Sequence, residues 1–298
     1  MSKDNWSFSS YDGAVYSRSK KSLYLCPAGK TEIDIPDTVE IIYPHAFENC
    51  SRLKEVILPD SVKELYGYVF YGCTALERIW VGSGIEDFIW EWNLGNNPNL
   101  TAVMVDENNP TYLSVDGVVF SKDQTVLHFW PSKISELKIP AATTSIEEGS
   151  DSPDMIRIEV AEENPAYRSI DGVLYNKEGT VLLQCPQAKT EVHIPDTVTE
   201  IRYNAFYNCN RLTQIDIPET VAIIGSGVFS GCSGLTKIEV PEAVTKIEYN
   251  TFENCTGLIQ IDIPDTVTSI GGEAFKGCSG LKQVELPEGL ERLGDFVF

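Results

Sequence analysis

Three kinds of residue in this sequence keep, independently, the same step of 23 residues. Prolines fall at 36 and 59, then at 195, 218, 241, 264 and 287. Cysteines follow at Cys50 and Cys73, then Cys209, Cys232, Cys255 and Cys278, and phenylalanines at Phe47 and Phe70, then Phe206, Phe229, Phe252, Phe275 and Phe298. A fixed period of this size is the mark of a solenoid, whose coils stack and share one core. One unit runs Cys209, Leu212, Ile215, Ile217, Pro218, Val221, Ile224, Phe229. Leu212-x-x-Ile215-x-Ile217 has the alternation of a strand with one buried face. Pro218, without an N–H, ends the ladder. Strand segments of this kind end near 36, 59, 81, 105, 140, 160, 195, 217, 240, 263 and 286. The expectation is about eleven coils, stacked at about 4.8 Å on one continuous parallel sheet.

Not every unit is regular. Asp12-Gly13, Asp116-Gly117 and Asp171-Gly172 each lie 23 residues before a unit proline, counted from the glycine. Asn109-Pro110-x-Tyr112 and Asn164-Pro165-x-Tyr167 precede two of them, and Asn5-Trp6-x-Phe8 the first. Apolar strand, polar turn and second strand follow, as in Val173–Tyr175 and Val181–Leu183, which is a hairpin pattern. The aspartates read as turn formers rather than catalytic groups. A single domain over 1–298 is expected. Hairpin-bearing units lie near 5–36, 109–140 and 164–195, regular coils at 37–81 and 196–298, and irregular coils at 82–108 and 141–163.

The unit Cys-x-x-Leu-x-x-Ile-x-Ile-Pro-x-x-Val-x-x-Ile-x-x-x-Ala-Phe-x-x-Cys resembles the 23-residue repeat class of BspA-like leucine-rich repeat surface proteins, over essentially the whole chain. The asparagine column usual in leucine-rich repeats is replaced by Thr38, Ser61, Thr197, Thr220 and Thr266. The resemblance implies a curved right-handed solenoid with its parallel sheet on the concave face, little helix and inserted β-hairpin units. It also implies a non-enzymatic protein-binding or adhesion module at the cell surface or secreted, whose partner is a host matrix or microbial surface protein. An intracellular interaction scaffold is the alternative. The N-terminus lacks the apolar h-region of a signal peptide, so the expectation is a cytosolic protein or a leader outside this sequence. The chain ends in register with the phenylalanine column but before its cysteine. That fits a piece of a longer protein, or a terminus that caps itself.

Composition narrows the partners. The 298 residues carry 44 acidic and 23 basic side chains, a formal net charge of -21. Residues 1–149 hold 21 acidic and 12 basic groups and 150–298 hold 23 and 11, so the excess is not an appended tail. Such a surface argues against nucleic acid and anionic membranes. No apolar run reaches the length of a transmembrane helix.

Candidate chemistry is sparse. Six of the eight cysteines recur at one position of successive coils, which suits a stack of small buried hydrophobes better than disulfides or zinc, for which close Cys-x-x-Cys pairs are lacking. His45, His128 and His193 belong to distant coils, beyond hydrogen-bond reach of one another. No catalytic, cofactor or metal residues are assigned. The outward column of the strands is more informative. It is apolar at Ile57, Trp80 and Met104, beside Arg78, with Trp90 and Trp92 in the next irregular segment. Trp, Met and Arg are enriched in interface cores, so these six residues are expected to bind a protein. The competing reading is that the tryptophan loop or a hairpin folds over Trp80 and fills a local core. Further along, the column carries Asp216, Glu239, Asp262 and Glu285. That acidic stripe could meet a basic partner or calcium, or be a solvated face softened by Lys237.

Overall fold

The computed structural model describes residues 5–147 and 151–298. The chain divides into two compact units, Met1–Ile134 with Ala142–Ser152, and Ser135–Ala141 with Pro153–Phe298. Each is a β-solenoid, about 12 turns in all. Trp90–Leu94 is the one α-helix among the described residues.

In the first unit each coil has three sides. The first is the strand foreseen from the alternation: Glu55–Leu58, Arg78–Val81 and Ala102–Val105 pair in parallel, with Ile57, Trp80 and Met104 aligned. Val56, Leu58, Ile79, Val81 and Val103 point inward and are buried. The second side is a shorter parallel ladder of Ser22–Leu25, Ile41–Ile42 and Glu64–Leu65. A third side has no strands but is still bonded coil to coil: the Phe47 amide donates to the Val69 carbonyl at 3.0 Å, and the Asn49 amide to the Tyr71 carbonyl at 2.9 Å. Inside, Phe47 stacks on Phe70 with ring centroids 5.0 Å apart.

The second unit repeats the plan. Glu136–Ile139 pairs with Arg157–Val160, and Lys237–Glu239 with Gln260–Asp262. Short ladders join Val181–Gln184, Glu200–Ile201 and Ile223–Ile224, then Lys246–Ile247, Ser269–Ile270 and Arg292–Leu293. Phe206, Phe229, Phe252, Phe275 and Phe298 form one stack with centroids 5.3, 5.5, 5.4 and 5.6 Å apart. All eight cysteines are buried with free thiols. The Cys232, Cys255 and Cys278 thiols donate to the carbonyls of Phe206, Phe229 and Phe252, at 3.0, 3.0 and 2.9 Å. The column therefore satisfies the backbone of the neighbouring coil as well as filling the core.

The expectation of one continuous sheet is corrected: among the described residues the long-strand ladder is broken into pieces. Hairpins account for two of the breaks, after Ala102–Val105 and after Arg157–Val160. Each hairpin opens with an antiparallel pair, Phe8–Tyr11 with Ala14–Ser17, Tyr112–Val115 with Val118–Ser121, and Tyr167–Ile170 with Val173–Asn176. The second and third turns sit on a strand edge. The Val103 amide donates to the Gly117 carbonyl at 3.0 Å and the Ile158 amide to the Gly172 carbonyl at 2.8 Å. The donors that would pair with a following strand are thereby taken. Asp116 and Gly117 both have positive φ, 51° and 81°, the requirement of a tight hairpin turn that Asp-Gly meets.

Candidate protein-interaction surface

The long-strand face of the first unit carries the candidate patch, and strand alternation puts it there. With Val56 and Leu58 committed to the core, Ile57 must face out, as must Trp80 between Ile79 and Val81. Ile57 is 61% exposed and Trp80 42%. Parallel in-register pairing sets Ile57, Trp80 and Met104 side by side. Met104 is half-buried, on the strand whose amide bonds the Asp116-Gly117 turn. Polar groups frame Trp80: its indole Nε1 donates to Glu55 Oε1 at 2.7 Å, and Arg78 Nη2 lies 3.8 Å from Glu55 Oε2. The indole is thus oriented by a hydrogen bond while its ring stays in solvent.

The other two tryptophans of the expected contact lie elsewhere. Trp90 is corrected from surface to core: it is 3% exposed and packs on Phe88, Tyr112 and Phe129 at centroid distances of 4.2, 5.2 and 6.4 Å. The cause is the helix Trp90–Leu94, which stands where regular coils have Ala-Phe-x-x-Cys. Asn93 takes the register of the inward phenylalanine, and its side-chain Oδ1 accepts from the Val69 amide at 3.1 Å. Trp92 is 51% exposed, but its ring stacks on Tyr68, on the turn after the short ladder rather than on the strand face. Helix and hairpin therefore do not cover Trp80.

In the second unit the acidic column is outward throughout: Asp216, Glu239, Asp262 and Glu285 are all exposed. Asp216 lies in a parallel bridge with His193, and Glu239 is cross-strand neighbour to Asp262. Lys237 sits between that like-charged pair, 2.5 Å from Glu239 Oε1 and 3.3 Å from Asp262 Oδ2. The side-chain amide of Gln260, with Lys237 behind it, holds the Asp262 carboxyl below its ordinary range, and Glu239 raises the Lys237 ammonium. An open groove of about 700 Å³ along this face includes Lys189, His193, Asp216, Lys237 and Glu239. Its charges are mixed, and among the described residues no three His, Cys, Asp or Glu side chains converge as metal ligands would.

Some structural roles had no earlier assignment. Asn109 is fully buried; it accepts from the Thr111 and Tyr112 amides and donates to the Gly82 and Ile85 carbonyls, which binds the hairpin to the preceding coil. Its position before Pro110, matched by Asn164 before Pro165, was the only signal of this in the sequence. His128 pairs with Glu147 at 2.7 Å and His45 with Glu48 at 3.1 Å.

Comparison with known proteins agrees with this architecture. The family model for the BspA type leucine rich repeat region matches residues 19–116 and 183–298, in 6 copies. Among curated proteins none matches this chain. Of solved structures, a leucine rich cell surface protein from Faecalibacterium prausnitzii A2-165 is similar with a TM-score of 0.56 and 23% identity, over 94% of this chain and 86% of that one. The pneumococcal vaccine antigen PcpA is similar with a TM-score of 0.58 and 18% identity, over 97% and 74%. At these identities the likeness concerns the fold, and the family rests on the repeat model, which spans well over half the sequence. The chain belongs to the BspA-type leucine-rich repeat family.

Proposed function

We propose that this protein is a non-enzymatic binding module that recognises another protein through the long-strand face of its first unit, with Ile57, Arg78, Trp80 and Met104 as the contact. The observation that carries the reading is the in-register exposure of Ile57 and Trp80 next to Met104, with Val56, Leu58, Ile79 and Val81 buried on the opposite face. Adjacent exposed apolar side chains beside an arginine have the composition of an interface centre. Family membership supports an interaction role, since repeat solenoids present extended surfaces of this kind. The cell surface is the proposed location, by likeness to a protein described as a leucine rich cell surface protein. Matrix proteins of a host and surface proteins of neighbouring microbes are the partner class.

The test is a Trp80→Ser, Met104→Ser double variant, compared with wild type for melting temperature and for surface-plasmon-resonance binding to a panel of matrix proteins. The expected result is a fold that holds and a binding signal that is lost. Collapse of the fold would assign the patch to the core, and unchanged binding to every ligand the wild type recognises would remove it as the site.

A further inference from the structure

The first unit bears a second exposed surface, at the end of the short ladder and on the turn that follows it, and the fold does not account for it. Tyr24, Tyr43 and Tyr66 follow one another with centroids 4.5 and 5.8 Å apart. Beside them His45, Tyr68 and Trp92 form a second stack at 5.7 and 6.2 Å, their planes within 3° and 2°. Tyr68 is 44% exposed.

The second unit supplies an internal control. Its coils keep the phenylalanine, cysteine and proline columns, yet at the register of Tyr43 and Tyr66 they carry Arg202, Gly225, Glu248 and Gly271. At the register of His45 and Tyr68 they carry Asn204, Gly227 and Asn250, then Glu273 and Phe296. Asn204, Gly227 and Asn250 show that the coil closes without a ring at that position. His45 and Tyr68 both stand at φ 61°, a left-handed conformation that Asn and Gly adopt readily and bulky side chains resist. Glu273 and Phe296 carry the same strain in the second unit, at φ 57° and 53°, so what sets the first unit apart is the continuous stack of His45, Tyr68 and Trp92.

Carboxylates decide the kind of ligand. Glu48 lies 3.1 Å from the His45 ring, and Glu64 accepts the Tyr66 hydroxyl at 2.8 Å. In the first unit, His45 apart, the two ring stacks hold no cationic residue. Rings beside carboxylates, on a chain of net charge -21, favour a cation with a planar face. Guanidinium stacks on tryptophan and is bonded bidentately by carboxylate. We propose that this ridge binds an extended, arginine-bearing segment of a protein partner, with one guanidinium on the Trp92 ring and its neighbours on the carboxylates and tyrosine hydroxyls. This surface is separate from the Trp80 face, so the two stand or fall independently.

The test measures fluorescence anisotropy of a labelled peptide of alternating Arg and Ser, beside a matched peptide with Gln for Arg. The variant is Tyr68→Asn with Trp92→Ser, which leaves the net charge unchanged, so loss of binding cannot come from general electrostatics. Wild type should bind the arginine peptide and not the glutamine one. The variant should weaken that binding about tenfold or more, with a melting temperature equal to or above wild type, because Asn suits the left-handed site. Trp80→Ser should leave the affinity unchanged. Equal binding of both peptides, full affinity in the variant, or binding of cellohexaose lost in the variant in place of the arginine peptide would each overturn the proposal.

Discussion

Trp80 and Trp90 are ten residues apart and differ in what their loss should do. Trp90 is enclosed by three aromatic rings, and its replacement by alanine should cost about 3–5 kcal/mol, the range for large core aromatics. Trp80→Ala removes a ring still 42% exposed and one hydrogen bond to an exposed carboxylate, so about 1 kcal/mol is expected. Urea unfolding of the two variants measures the difference, and equal losses would place both rings in the core. Only one of these positions was legible beforehand. Trp80 inherits its direction from a strand whose inward partners are fixed by the repeat. Trp90 lies where Ala-Phe-x-x-Cys gives way to Trp-Glu-Trp-Asn-Leu, and without a repeat nothing in the order of residues said which indole turns inward. The thiols make a second prediction at this scale. Burial pushes the Cys73 thiol up to about 12, and all eight cysteines are buried, so a reagent has no access to them in the folded protein. Ellman's reagent should find almost no reactive thiol in native protein and all eight in guanidinium; rapid native labelling would contradict the packing described.

Among the elements, the hairpins carry the most consequence, because two of them take up the edge of a long-strand ladder. Gly13 and Gly117 occupy equivalent turns at φ 79° and 81°, yet their surroundings differ. A Cβ on Gly13 meets nothing within 4 Å, whereas one on Gly117 comes 2.7 Å from the Ala102 Cβ. Gly13→Ala should therefore cost only the backbone strain, about 1 kcal/mol. Gly117→Ala adds displacement of the turn from the strand Ala102–Val105 and should cost about 1–3 kcal/mol more. Thermal unfolding of the pair would show it, and matched shifts would mean the turn does not lean on the strand. The Asp-Gly pairs announced the hairpins, since few residues accept two successive positive φ values. Their docking was not announced, because it depends on a backbone carbonyl, which has no sequence signature. The short ladder escaped notice for a similar reason. Strands such as Ile41–Ile42 and Glu64–Leu65 have two residues each, too few for an alternation to show. The pH dependence of the acidic stripe also belongs here, because it depends on a strand pair. The Asp262 carboxyl is held below its ordinary value by Gln260 and Lys237. A depressed folded value means that its contribution is present above the unfolded pKa, near 4, and fades as pH falls through the folded value. The titration midpoint of Asp262, followed by carbon NMR, should rise in Gln260→Ala; an unchanged midpoint would remove that amide as the cause.

For the molecule as a whole, stacking implies that stability is local and passed between neighbours. Within each unit a coil touches the one before and the one after, and in the second unit the phenylalanine stack is the clearest thread. Phe229 is fully buried between Phe206 at 5.3 Å and Phe252 at 5.5 Å, and its carbonyl accepts the Cys255 thiol. Phe229→Ala should remove about 3–5 kcal/mol, and the loss should not spread evenly. Hydrogen exchange should quicken first at Ile223–Ile224 and Lys246–Ile247, less at Glu200–Ile201 and Ser269–Ile270, and little in the first unit at Glu55–Leu58 and Arg78–Val81. In a nearest-neighbour solenoid a cavity weakens the coils that line it before those further along the stack. Exchange accelerated equally in every strand would mean that the chain unfolds as one cooperative body. In that case binding at the Trp80 face would be coupled to damage anywhere in the chain. The graded result instead leaves that face intact in the variant, so its binding should survive a core defect in the second unit.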